Sequence, residues 1–72
     1  MHSKYKRAYI ARLLIRQHGF SIRKSEKGAA VYRSRYVFAT GSTDHDAMNA
    51  AIARLEHAGA IDWHSLTINI YQ

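Results

Sequence analysis

The sequence predicts a small α+β domain, and three observations predict it. Two segments carry apolar residues at helical spacing, one ending before Gly19 and one between Thr43 and Gly59. The stretches between and after them alternate apolar with polar side chains, as half-buried strands do. At 72 residues the chain makes a single domain, residues 1–72, and a domain of this size buries only about 60% of the surface its unfolded chain exposes. Its core is therefore thin.

Residues 5–18 form the first helix. At about 100° per residue Ile10, Ala11, Leu13, Leu14 and Ile15 share one broad face. Tyr5, Tyr9, Arg12 and Arg16 share the opposite one, and Gly19 supplies the stop. "FSIRKSEKGAAVYRSRYVFAT" then reads as two antiparallel strands around a turn at Ser25 to Gly28, where Gly28 takes the positive φ that closes a hairpin.

In the second of these strands Ala30, Tyr32, Ser34, Tyr36 and Phe38 face one way, and Val31, Arg33, Arg35 and Val37 the other. Burying the aromatic set exposes the arginines. The alternative is a bulge near Ser34 that re-phases the halves, since Val31 and Val37 also suit a core.

"GSTDHDAMNAAIARLEHAG" is the second helix. Thr43 followed by Asp46 resembles a capping box, and Asp44 and Asp46 suit the positive end of the helix dipole. Met48, Ala51, Ile52 and Leu55 make its inner face. The last stretch places Leu66, Ile68 and Ile70 on one face of a third strand, Thr67, Asn69 and Tyr71 on the other, and Trp63 over an end of the core. The expected order is α-β-β-α-β, with a right-handed crossover giving an antiparallel sheet of order 2-1-3 and both helices on one face.

Composition narrows the function. There is no cysteine, so neither a disulfide nor a thiolate zinc site exists; stability comes from packing or a partner, and a cytoplasmic location is expected. No apolar run is long enough for a membrane span or a signal peptide, so no membrane partner is expected. The net charge of +6 is unevenly spread. Residues 1–36 carry ten Lys and Arg against Glu26 alone, a balance of +9, and residues 37–72 carry Arg54 against four carboxylates, a balance of −3. A polyanion or an acidic protein surface is the expected partner.

Catalysis is not expected. Ser42, Asp44 and His45 hold the atoms of a nucleophile, an acid and a base, but three residues at a helix start do not reach triad geometry, and capping explains them. No pair of carboxylates on one element is tuned for acid and base roles. The histidines His2, His18, His45, His57 and His64 lack the spacing of a helical metal pair, so neither a metal nor another cofactor is expected.

Residues 46–59, "DAMNAAIARLEHAG", resemble the alanine-rich last helix of double-stranded RNA-binding domains, and a leading helix followed by strands is similar as well. The resemblance covers about a fifth of the chain. It implies three strands before the final helix and none after it. That family reads phosphates through a basic start to this helix, whereas this chain has "STDHD" there, so the resemblance concerns architecture alone.

The expected function is nucleic-acid binding, DNA or RNA, through the Lys- and Arg-rich N-terminal half. The candidate residues are Tyr5, Tyr9, Arg12 and Arg16 on the first helix and Arg23, Arg33 and Arg35 on the sheet face away from the helices. The alternative is a protein-binding module or inhibitor, because small, basic, cysteine-free domains are the sort of product that phages and plasmids encode to block a host protein or nucleoprotein complex. Arg33 and Arg35 would then meet an acidic surface, and the second strand, as an unpaired edge, would also admit a homodimer.

Overall fold

The structure is a computed structural model that describes residues 4–70. Lys4–Gln17 form helix α1. Ile10 and Leu14, one turn apart, are fully buried, and Ala11 and Leu13 pack beside them. Ile15, expected on the same face, lies at its margin and is 45% exposed. Gly19 follows in the left-handed region at φ 74°, which turns the chain out of the helix and into the sheet.

Strand β1 (Phe20–Ser25) pairs antiparallel with β2 (Gly28–Arg33) around the two-residue turn Glu26–Lys27, with Ser25 opposite Gly28. Gly28 has φ 141°, and a Cβ there would collide with the Gly41 carbonyl. The hairpin is the one that the alternation predicts.

The stretch expected as one long strand is two. It breaks at Ser34 and Arg35, where Ser34 takes φ 60°, and resumes as β3 (Tyr36–Gly41) antiparallel to β2. The register shifts between Val31 and Tyr32: Val31 faces Ala39 and Tyr32 faces Val37, so Phe38 is the extra residue of a bulge. The sheet order is therefore β1-β2-β3, a meander, with its third strand taken from residues 36–41.

The face buried by β2 also differs from expectation. Val31 is fully buried and Ala29 nearly so, whereas Ala30 and Tyr32 lie half-buried on the outer face. The cause is the partner helix. Helix α2 (Asp44–His57) crosses all three strands and meets them with Ala47 and Ala51, both fully buried, together with Met48, Ile52 and Leu55. Alanines bring the helix axis close to the sheet, and the space left suits Val31 better than a tyrosine ring.

Thr43 caps α2: its Oγ1 accepts from the Asp46 N–H at 3.1 Å, and the Ser42 hydroxyl donates to Asp46 Oδ2 at 2.7 Å. Gly41 lies directly against this helix start, where a Cβ would overlap Asp46 and Ala47. The end of β3 and the beginning of α2 are thereby held together.

After α2 the chain forms a separate two-stranded ribbon, β4 (Ile61–Asp62) with β5 (Thr67–Ile68), so the C-terminal stretch does not join the main sheet beside β1. Its turn is held by the Asp62 carboxylate, which accepts from the N–H groups of His64 (2.9 Å) and Ser65 (3.2 Å). Bonding to the Ser65 backbone and hydroxyl, then to the His64 N–H, holds the Asp62 carboxyl below the ordinary carboxylate value. Leu66, Ile68, Ile70 and Trp63 pack on the rim of the core. The element order is thus α-β-β-β-α followed by the two-stranded ribbon, in place of the expected α-β-β-α-β.

Candidate nucleic-acid interface

The first helix presents the clearest surface. Its buried side is spent on Ile10 and Leu14, which forces Tyr5, Tyr9, Arg12 and Arg16 outward in one stripe spanning about 16 Å along the axis. Tyr5 is 87% exposed and Tyr9 43%. Among the described residues, no hydrogen bond or ion pair occupies the Arg12 or Arg16 guanidinium. The four expected together on α1 are together.

The three sheet arginines are not. Arg23 lies on the outer face as expected, its guanidinium carbon 5.0 Å from the centre of the Tyr32 ring. Arg33 lies on the helix-facing side, opposite Phe20 in the β1–β2 register and 5.9 Å above its ring, because Val31 and not Tyr32 took the buried phase. Arg35 occupies the β2–β3 turn and is exposed. Of the residues expected on the outer face of the third strand, Thr67 and Asn69 belong to the C-terminal ribbon region, and Tyr71, like His2, lies outside the described residues.

One link joins the separate parts. The Ser34 N–H donates to the Gly19 carbonyl at 3.4 Å, which fastens the turn carrying Arg35 to the C-terminal end of α1, where Arg16 lies. The second strand, expected as a free edge, is paired on both sides, so it cannot accept a strand from a second copy. The free edges of this sheet belong to β1 and β3.

Other basic side chains are engaged locally. Arg7 donates to Asn49 Oδ1 at 3.1 Å across an apolar groove of about 560 Å3 between the helices, also lined by Lys4, Ala11, His45 and Met48. Lys24 lies 3.7 Å from Asp44, an exposed pair of small energetic value. Arg54, which sequence reasoning did not single out, lies 4.5 Å above the Phe38 ring and donates to the Phe38 carbonyl at 2.7 Å. It is the one Lys or Arg of residues 37–72, and a single arginine on a helix reads as solvated.

Ser42 and Asp46 are bonded to each other, and Asp44 faces Lys24, so the residues at the α2 start are engaged in holding it. Among the described residues no cluster of three or more His, Asp or Glu is placed to hold a metal ion. Nor is any helix among them long and apolar enough to cross a membrane.

Fold and surface together define a small α-β-β-β-α domain with a cationic, tyrosine-bearing first helix. No known protein family, no curated protein and no solved structure matches the chain.

Proposed function

We propose that the protein binds nucleic acid, DNA or RNA, with the outward stripe of α1 as the principal contact and the Arg35 turn extending it. The observation that carries the reading is the stripe itself: two exposed, unengaged guanidinium groups in line with two exposed tyrosine rings on one rigid element. Arginines neutralise phosphates and release counterions, and tyrosine faces stack on unpaired bases. The backbone that carries the stripe needs no ordering on binding, because the buried face of α1 already fixes it.

The test uses labelled single-stranded and duplex DNA and RNA of mixed sequence. Log affinity falls linearly with log salt, with a slope of about −0.9 for each duplex phosphate neutralised. In the double variant Arg12→Glu and Arg16→Glu, that slope becomes shallower by about 2 and binding weakens. Tyr5→Ala with Tyr9→Ala weakens single strands more than duplexes, by about 1–3 kcal/mol for each stacked base lost. Absence of any shift at low salt, or equal affinity in the arginine double variant, refutes the reading.

Binding of an acidic protein surface is the second reading, with catalysis in neither. It draws on a different part of the molecule, the end of the sheet where Arg33 and Arg54 approach the same hollow.

A further inference from the structure

We infer that the hollow between the C-terminal end of α2, the bulged part of β3 and the segment after β5 is a docking pocket for an acidic protein segment. It takes one carboxylate side chain together with an aliphatic neighbour. This deepens the second reading above and does not depend on nucleic-acid binding. The hollow has a volume of about 340 Å3, at the small end of the usual range for ligand pockets of about 300–1,000 Å3, which suits one or two side chains.

Its charge is one-sided. Arg33 and Arg54 line it, and among the described residues no carboxylate does. Both guanidinium groups are oriented by aromatic rings: Arg33 lies over Phe20 and Arg54 over Phe38, and those two rings meet edge to face at 5.1 Å. Arg54 is further fixed by its bond to the Phe38 carbonyl, made through one terminal nitrogen, which leaves the rest of the fork for a ligand. A pair of cations held in place this way loses little freedom on meeting an anion.

Helix capping does not account for Arg33. The last carbonyls of α2 already accept backbone bonds, Arg54 from Ala58 (3.2 Å), Glu56 from Gly59 (3.0 Å) and Leu55 from Ala60 (2.9 Å). Arg33 is half-buried, and among the described residues no hydrogen bond or ion pair holds its guanidinium. A partly desolvated cation of this kind gains from a carboxylate at short range. The floor decides what kind of anion. Ala58 and Ile70, above the buried Leu55 and Ala60, offer apolar surface that a bare phosphate leaves uncovered and an aliphatic side chain next to a Glu or Asp covers.

The probe is the peptide acetyl-Ala-Leu-Glu-Leu-Ala-amide, titrated into the full chain and followed by 15N NMR, with the Gln-for-Glu peptide, inorganic phosphate and a short duplex RNA as parallel arms. Expected are shifts at Phe38, Arg54 and Ala58 to Ala60, with binding weakened about tenfold or more by Gln for Glu and by Arg33→Gln. Asn69→Asp, an exposed substitution that sets a carboxylate in the pocket, abolishes binding and serves even where Arg33→Gln perturbs folding. Arg12→Glu with Arg16→Glu leaves peptide binding unchanged, so failure of the nucleic-acid reading and failure of this one are told apart. Four results overturn the inference: equal binding of the Glu and Gln peptides, phosphate binding as tightly as the peptide, displacement of the peptide by RNA, or peptide binding that appears only after residues 71–72 are deleted.

Discussion

Val31 and Tyr32 decide which side of the sheet becomes the core. Alternation divides a strand into two sets, but it does not say which set is buried, and aromatic mass favours the set with Tyr32 and Tyr36. The choice is made two elements away, by Ala47 and Ala51 of α2, whose short side chains admit a valine beneath the helix. Tyr32 instead covers the outer face, where Arg23 lies above its ring. Val31→Ala therefore costs about 2–3 kcal/mol, from lost transfer energy and the cavity left behind. Tyr32→Ala costs less, about 1 kcal/mol, since the ring is half solvated and lies beneath an exposed arginine. Urea unfolding of the two variants checks the order, and a larger loss at Tyr32 would reverse the assigned faces. The same phase carries Arg33 to the helix side, so its site was hidden by the side-chain size that made the pattern look plain.

At the scale of elements, what was legible followed from local signals. Helix α1, the β1–β2 hairpin and helix α2 with its Thr43 cap all sit where spacing, glycine and capping residues put them. The β2–β3 turn has no such signal: "RSRY" contains no Gly, Asn, Asp or Pro, and the sharp reversal rests on Ser34 in the left-handed region at φ 60°. A run of eleven residues from Gly28 to Phe38 thus reads as one strand, which assigns the third strand to the C-terminal stretch, where Leu66 at φ 57° ends a turn and leaves β5 only two residues. Ser34→Gly removes the steric cost of that conformation and raises stability by about 0.5–1 kcal/mol despite the added freedom of the unfolded chain. Thermal unfolding measures it. A loss of stability would mean that the serine side chain, not the backbone angle, holds the hairpin tip, and with it the position of Arg35.

Across the whole molecule, the charge imbalance visible in the sequence is not cancelled by folding. The acidic residues Asp44, Asp46 and Asp62 sit at the α2 start and the ribbon turn, while Arg12 and Arg16 on the α1 stripe stay unengaged among the described residues. The described fold measures 37 × 27 × 20 Å. At about 0.01 M salt the screening length is about 30 Å, so nearly every charge feels every other and a net +6 repels itself. At about 0.1 M it shrinks to about 10 Å, and only near neighbours still interact. The exposed Lys24–Asp44 pair, at 3.7 Å, offers little attraction for salt to weaken. The melting temperature therefore rises over this range, by about 4–8 °C for each kcal/mol of repulsion removed from a domain of this size. Circular dichroism at fixed pH in sodium chloride follows it. Nucleic-acid affinity falls over the same range, because salt that relieves repulsion within the fold also removes the counterion gain of binding. The two measurements thus respond in opposite directions to the same arginines. In the Arg12→Glu, Arg16→Glu variant, whose net charge drops from +6 to about +2, both responses flatten together. A melting temperature that instead falls with salt in the natural sequence would mean that attractive pairs dominate the surface, and the stripe would then be engaged within the fold and not open to a polyanion.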